Sequence, residues 1–516
     1  MPRRLISWKT KWGQTLWGLT PFVCALLLVL SYPPFDLGWL AWGALIPWLF
    51  SIERCSPGQA FLQGYLIGLL FFGATIWWIG CVTVPGVILL VAYLALYFGV
   101  WGWLAQRTVP GLILAPGSVV FGLPAAWALL EYLRSVLLSG FGWNLLAHTQ
   151  WRWLPLIQIA DLTGVWGLSF LVVMVNVALY LAAKGAASAR VGIGAALLLL
   201  VGVLTYGTLR LQQLDPNSSF NVRHGSSAFR VTVAQGNIPQ RQKWDEAFAE
   251  AIWKRYEAVT AEAAKEHPDL ILWPETSVPG FLEEPKVMGR LQGIVAGART
   301  PFLVGAPTSD EEGLRTFNSA LLLNPNGVVT GRYDKVHLVP FGEYVPPFLE
   351  WLRRFVLMGD FSAGNRYTVF QPPAVSRYPS ASFSVLICFE DLFPGLARRF
   401  VREGAQWLVV ITNDAWFERS AASIQHLQAS VFRAVEERRW VVRSANTGWS
   451  GFVDPCGRRL DPPAQIPRFQ PGVATAELRI TPRPPTLYAR WGDWFLLLCG
   501  IIVFLQWIRW KRWISL

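Results

Sequence analysis

Charge is what this chain has least of. Of its 516 residues only 15% are charged, while 53% are hydrophobic and 28 are tryptophan. That balance excludes an ordinary soluble protein of this length and points to a membrane protein. Cysteine is sparse and scattered: Cys24, Cys55, Cys81, Cys388, Cys456 and Cys499, four of them in or beside apolar runs. Only Cys388 and Cys456 fall in a polar region, so one disulfide is possible there and a disulfide framework is excluded. With no CxxC pair and no histidine-rich spacing, no metal site is expected. Internal repeats, low-complexity tracts and a glycine-rich phosphate loop are missing too, which removes a solenoid and a nucleotide cradle from consideration. The net charge of +12 is not a nucleic-acid footprint. Arg3, Arg4, Lys9 and Lys11 flank the first apolar run and Arg509, Lys511 and Arg512 the last, the positive-inside pattern of a membrane protein.

The apolar residues cluster. Residues 1–209 are nearly charge-free runs broken by short polar links, 210–490 have a soluble composition, and 491–516 hold a last apolar run with a basic tail. We therefore expect a membrane domain of seven spans, a large soluble domain and one closing span. The candidate spans lie near Leu16–Ser31, Leu37–Ile52, Phe61–Ile79, Val87–Ala105, Gly111–Leu130, Gly164–Ala183, Val191–Leu209 and Trp494–Ile508. Arg54, Arg107, Lys184 and Arg190 lie in links that share a side with the basic N-terminus, which puts the soluble domain outside. In a bacterium that is the periplasmic side of the inner membrane. The start of the chain would also suit a signal peptide, but further apolar runs follow at once without a small-residue cleavage site, so an uncleaved span is expected. The longer link Glu131–Thr163 carries Glu131, Arg134, Trp143, Asn144, His148 and Asp161. It reads as a functional face or as an interfacial loop with its tryptophan belt.

Within 210–490, strand-like and helix-like segments alternate, which argues a layered α/β domain. Phe229–Gln235, Leu270–Trp273, Phe302–Gly305, Ser319–Leu323, Ser384–Phe389, Trp407–Thr412, Trp440–Ala445 and Gly451–Asp454 read as strands. Asp245–His267 and Ser420–Arg439 read as helices. Three apolar runs end in chemistry: FSVLIC at Cys388 followed by Glu390, LILWPE at Glu275, and LVVITN at Asn413. In open α/β sheets ligands bind beyond the carboxyl ends of the strands, so these residues are candidates to meet. Each alone has a plainer reading: a buried inert cysteine, a solvated glutamate, an Asn-Asp turn. Between them the segment Gly331–Tyr344 reads as a loop with Lys335 and Glu343. A lysine there would favour a thiolate and stabilise an oxyanion, or would simply be solvated.

Glu275 in LILWPETSVPG, Lys335 in YDKVHLVPFGEYVP and Cys388 in VLICFED resemble the Glu-Lys-Cys triad of the nitrilase, or carbon–nitrogen hydrolase, superfamily. With GNIPQ at Gly236–Gln240, ITNDAWF at Ile411–Phe417, RAVEERRWVVRSANTGWSG at Arg433–Gly451 and the flanking spans, the chain is similar to the apolipoprotein N-acyltransferase family over essentially its whole length. The resemblance implies an αββα sandwich joined to a membrane domain of about eight spans, and no cofactor. It implies transfer of an acyl chain from a phospholipid to Cys388, then to the α-amine of a diacylglyceryl-cysteine apolipoprotein. In that scheme Cys388 is the nucleophile, Glu275 the general base, and Lys335 with the amide after Cys388 the oxyanion donors. Glu343 would orient Lys335 or help with proton transfer, while Glu390 and Asn413, then Arg443, Asn446 and Thr447, support the site. The family commonly has Tyr at Phe389 and Gly at Glu418.

The lipid needs a route to the thiol. Phe348, Trp351, Leu352, Phe355 and Val356 recur at helical spacing opposite Glu350, Arg353 and Arg354, a helix for the bilayer interface or for the domain's own core. Tyr344 to Gly364 then reads as a lid with Met358 and Phe361 on its apolar side. Trp244, Tyr344, Met358, Phe389 and Trp416 are the candidate substrate-binding residues. The competing readings are a membrane-anchored amide hydrolase using water, and a transporter with a receptor domain. The number of spans disfavours the first, and the shortage of ionisable groups within them the second.

Overall fold

The computed structural model describes residues 11–108, 116–185, 189–214, 227–345, 361–372, 381–480 and 483–514. Among these, four helices are long and apolar enough to cross a membrane: Val84–Thr108, Val119–Ser139, Val165–Ala183 and Ala189–Leu214. The apolar helices Gly18–Leu30, Gly38–Ile52 and Trp494–Ile508 are shorter, and the helix Pro57–Thr75 has 19 residues. The span expected at Leu37–Ile52 is broken into a 3-10 turn, Gly38–Trp42, and a helix of seven residues, Ile46–Ile52. Pro47 sits in the first turn of that helix, where proline is tolerated, and cannot continue the preceding turn. Leu197, Leu198 and Val201 on one long helix and Ile88, Leu89 and Leu96 on another are exposed, as lipid-facing positions are.

The link Glu131–Thr163 is not an interfacial loop, because residues 140–151 are buried throughout. Arg134 holds the loop by donating to the carbonyls of Phe141 and Trp143, both at 2.8 Å, and of Asn144 at 3.0 Å. Glu131 Oε1 accepts from the Leu146 amide at 2.7 Å. The two charges thus satisfy backbone groups that burial would otherwise strand.

The α/β part contains two sheets. The first runs β11-β1-β2-β3-β4-β5 and the second β10-β9-β8-β7-β6. Here β1 is Ser227–Gln235, β2 Leu270–Leu272, β3 Phe302–Ser309, β4 Thr316–Leu323, β5 Val329–Asp334, β6 Phe383–Ile387, β7 Trp407–Thr412, β8 Trp440–Ala445, β9 Ser450–Val453, β10 Gln465–Ile466 and β11 Gly472–Ile480. Strands β1, β2 and β3 are parallel, as are β6, β7 and β8, and the outer strands are antiparallel. Side-chain alternation sorts the faces. Val231, Val233, Leu272, Leu303 and Leu322 join the core shared with the second sheet. Their neighbours Ile271, Phe302, Val304, Leu321 and Leu323 pack outward on the helices Ala249–Lys265 and Pro285–Ala298. The helices Pro394–Arg402 and Ala422–Glu437 lie with the second sheet, completing a helix–sheet–sheet–helix sandwich. Cys388 and Cys456 are both free thiols, so the possible disulfide is not formed.

The Ala422–Glu437 helix is polar yet buried along almost its whole length, because the membrane helices and their loops cover its second face. Its polar side chains find partners there. Gln425 Oε1 accepts from the indoles of Trp143 at 3.0 Å and Trp78 at 3.2 Å, and Gln428 donates to the His148 carbonyl. Glu436 accepts from the Val165 amide at 3.0 Å. Just beyond the helix, Arg438 pairs with Asp161 at 2.8 Å and donates to the oxygens of Gln158. Replacing Arg438 with Ala leaves Asp161 to Arg210 and Tyr206 but removes the buried donor to both Gln158 oxygens, and should destabilise the protein by about 1–3 kcal/mol. Thermal unfolding in detergent, followed by tryptophan fluorescence, checks this; an unchanged Tm would contradict it.

Candidate active site

The carboxyl ends of several strands converge. Lys335 and Cys388 are the first residues beyond β5 and β6, Asn413 is the first beyond β7, and Glu275 follows β2 by three residues. The segment read as a loop from Gly331 is therefore strand as far as Asp334, and β5 carries Lys335 as β6 carries Cys388. Lys335 Nζ donates to Glu343 Oε1 at 2.8 Å and lies 3.7 Å from Glu275 Oε1. Asn318 on β4, which the sequence did not single out, donates through Nδ2 to Glu275 Oε1 at 2.8 Å and Glu343 Oε1 at 3.0 Å. One amide thus spaces two carboxylates around one ammonium. Glycine is required at Gly305 on β3, where a Cβ would come 2.4 Å from the Pro274 carbonyl and 2.7 Å from Glu275 Cα.

The charges are set by enclosure. Burial opposes the Lys335 ammonium, but Glu343 and then Glu275 hold it above the ordinary lysine range. Cys388 opens onto a cavity but is otherwise enclosed; that enclosure first, and then Glu275, push its thiol up, while Lys335 opposes the shift. The resting thiol is therefore held protonated, and Glu275 is the carboxylate whose charge acts on it most strongly. A second buried lysine, Lys243, donates to the Glu275 carbonyl at 2.8 Å and is pushed by burial down to about 7.

Cys388 takes φ +55°, a left-handed conformation costly for a side chain with a Cβ. The surrounding groups hold it there. Glu390 accepts from the Ile387 amide at 2.7 Å with one oxygen. With the other it accepts from the Tyr333 hydroxyl and the Val336 amide, both at 2.8 Å, and from the His337 amide at 3.1 Å. Behind the turn lies a fully buried cluster of Asp391, Asp414, His426 and Arg443. Arg443 reaches Asp391 at 3.0 Å and Asp414 at 3.3 Å, and Gly448 leaves room for Asp414, whose Oδ2 a Cβ would meet at 2.1 Å. Asn413 donates to Gln240 at 2.7 Å and accepts from Asn446 at 2.9 Å. Asn446 also bonds both backbone groups of Ile238, which anchors the GNIPQ segment that leads to Lys243. Asp391, Asp414 and His426 escaped sequence reasoning, although the two aspartates adjoin named residues. Among the described residues no group of three or more His, Cys, Asp or Glu is arranged to hold a metal.

Two cavities flank the site. One of about 300 Å³ is lined by Trp78, Leu89, Tyr93, Phe141, Phe389 and Phe417, with Cys388 and His426 in its wall. It lies between the α/β part and the helix Val84–Thr108. The other, about 1030 Å³, is lined by Trp244, Trp416, Phe361, Arg241 and Arg419 and does not include Cys388. Of the candidate substrate-binding residues, Phe389 thus lines the first cavity and Trp244 and Trp416 the second. The Tyr344 hydroxyl bonds Ser139 at 2.8 Å. Met358 and the amphipathic stretch 348–356 lie outside the described residues. Glu418 takes φ +49°, a conformation that glycine would adopt without strain.

The profile of the apolipoprotein N-acyltransferase N-terminal domain matches residues 24–178, and that of carbon–nitrogen hydrolase matches 230–481. An apolipoprotein N-acyltransferase of Geobacter metallireducens is 39% identical, aligned over 93% of this chain and 92% of its own. The chain belongs to the apolipoprotein N-acyltransferase family. Like-named proteins of Methylococcus capsulatus (34% identical; 94% of this chain, 95% of theirs) and Chlorobaculum tepidum (31%; 90% and 91%) match over comparable lengths. This family member is an acyltransferase and a membrane protein with a nitrilase-like α/β domain.

Two predictions follow for this acyltransferase. Asn318→Ala removes the donor shared by Glu275 and Glu343, and acyltransferase turnover should fall about tenfold or more; a rate within twofold of wild type would contradict this. Since the Cys388 thiol is held above its ordinary value, its thiolate fraction grows only at high pH. Alkylation of Cys388 by iodoacetamide, followed by mass spectrometry, should still be rising at pH 9, whereas a plateau below pH 8 would refute the shift.

Proposed function

We propose that this protein moves a fatty acyl chain from a phospholipid, through a Cys388 thioester, to the N-terminal amine of a diacylglyceryl-cysteine apolipoprotein. The observation that carries the reading is the apolar cavity: the thiol opens onto a space walled on one side by a bilayer-facing helix, where an acyl chain fits and water is poorly served. Glu275 takes the thiol proton as sulfur attacks the ester carbonyl. Lys335, held protonated by Glu343, and the Phe389 amide donate to the oxyanion. The lysophospholipid leaves with the proton that Glu275 returns. The incoming amine attacks the thioester, Glu275 takes its proton, and Cys388 departs restored. Glu390 and Asn413 position this machinery, and Trp244, Tyr344, Phe389 and Trp416 meet the substrate.

The same reading assigns residues 1–209 to a membrane domain of seven passes, 210–490 to a periplasmic catalytic domain and 491–516 to an eighth pass ending in a cytoplasmic tail. The flanking basic residues support that orientation in a bacterial inner membrane.

Purified protein incubated with phospholipid labelled in its acyl chain should gain a hydroxylamine-labile label. Cys388→Ser should abolish it, and Lys335→Met should slow it about 10²–10³-fold while the protein stays folded. Equal labelling in Cys388→Ser would end the acyl-enzyme reading. Ammonia release from small amides without a lipid adduct would favour a hydrolase.

A further inference from the structure

His426 is a buried, titratable group for which the reaction above has no use. It projects from the Ala422–Glu437 helix to the underside of the turn that carries Cys388. Nε2 stands 3.1 Å from the Cys388 carbonyl oxygen and 3.0 Å from Asp391 Oδ1, and Nδ1 stands 2.9 Å from Asp414 Oδ1. The Trp143 ring, from the loop between membrane helices, covers the imidazole at 5.1 Å between centroids.

The protonation state follows from the company it keeps. Two carboxylates and one guanidinium face the ring, Asp391 on the turn after β6, Asp414 on the turn after β7 and Arg443 on β8, with the Cys388 thiol as the remaining titratable neighbour. The cluster is neutral when His426 carries a proton on each nitrogen. Burial and Arg443, whose Nη2 lies 2.7 Å from Nδ1, oppose the charge, but Asp391 and Asp414 push the imidazolium up to about 9. At neutral pH Nε2 is therefore a donor, and the Cys388 carbonyl is an acceptor within its reach.

That contact fixes more than a carbonyl. The Cys388–Phe389 peptide is planar and trans, so its C=O and N–H point in opposite directions. A hydrogen bond that ties the carbonyl to His426 turns the Phe389 N–H the opposite way, away from His426. Without it the left-handed residue at Cys388 can relax by rotating this peptide, which swings the N–H out of that direction.

We propose that His426 is a positioning residue that latches the Cys388–Phe389 peptide with its N–H presented to the oxyanion. The latch rests on the acyl-transfer reading, since only a reaction with a tetrahedral oxyanion needs that N–H. It also links the membrane domain to the chemistry, because Trp143 roofs the imidazole and is itself tied to Gln425, the residue before His426.

The test compares two neutral amides that differ only in reach. In His426→Gln the side-chain nitrogen falls where Nε2 lies; in His426→Asn it falls where Nδ1 lies and cannot reach the Cys388 carbonyl. Two reactions of the same sulfur are measured on full-length protein in detergent: acylation by labelled phospholipid, which passes through an oxyanion, and alkylation by iodoacetamide, which does not. His426→Asn should lose about 10²-fold in acylation while alkylation stays within about threefold of wild type, and His426→Gln should recover most of the acylation. Parallel loss of both reactions in the two variants, or acylation unchanged in His426→Asn, overturns the latch. If wild type forms no adduct on Cys388, it is the acyl-transfer reading that fails.

Discussion

One carboxylate sets the separation of the two groups on which the proposed chemistry depends. Lys335 ends a strand of one sheet and Cys388 ends a strand of the other, so no backbone ladder fixes their distance. Glu390 does. One of its oxygens holds the Ile387 amide, at the foot of the Cys388 turn, and the other holds the Val336 and His337 amides, directly after Lys335. Burial pushes this carboxyl up to about 7 against those hydrogen bonds. A buried carboxylate is costly unless its lone pairs are filled, and here the donors that fill them are the segments that need aligning. The sandwich supplies a common core for the two sheets, and Glu390 converts that proximity into a fixed site.

The second dependence is on the membrane part. The Ala422–Glu437 helix turns His426 and Arg433 toward Asp391, but it also carries Gln425, Gln428 and Glu436, a set that would face water in an isolated α/β domain. Covering it demands partners, and the loops between the membrane helices provide them through Trp78, Trp143, the His148 carbonyl and the Val165 amide. The cavity beside Cys388 is made at this same junction, from Trp78, Leu89 and Phe141 on one side and Phe389 and Phe417 on the other. Neither part encloses it alone. Desolvation of the thiol, the apolar wall and the Trp143 roof over His426 are consequences of one docking.

Sequence reasoning reached a large share of this, for reasons that differ by residue. Glu275, Cys388 and Asn413 were visible because an apolar run that stops at a reactive side chain is a local pattern. The strands β7 and β8 were delimited correctly because both faces of each are covered, so that β7 reads as an apolar run and β8 opens on Trp440, Val441 and Val442. Strand β5 was missed, since VTGRYD is short, half-exposed and polar, and nothing local separates it from the loop that follows. Asn318 sits among apolar neighbours in β4, where one amide gives no sign of the two carboxylates it joins. The loop after Glu131 was undecided between surface and interior, because burial of residues 140–151 depends on Arg134 and Glu131 finding carbonyls and an amide in space. The broken span at Leu37–Ile52 was read as continuous because hydropathy averages over the interruption that Pro47 and the turn before it create.

Composition and order in the chain alone determined that this is a membrane protein with an α/β part between apolar regions, and which motifs are the candidates to carry its chemistry. Those properties are local: hydropathy, charge placement and strand-end residues are read within windows of ten or twenty positions. Tertiary structure alone decided that Asn318 spaces Glu275 from Glu343 and that Glu390 spans the two sheets. It also decided that His426 stands beside the Cys388–Phe389 peptide and that the thiol opens onto a cavity only two docked parts can make. Each of these joins residues from 25 to about 350 positions apart in the chain. Their strength comes from exclusion of water, which no window of sequence can report, because burial is a property of the assembled fold.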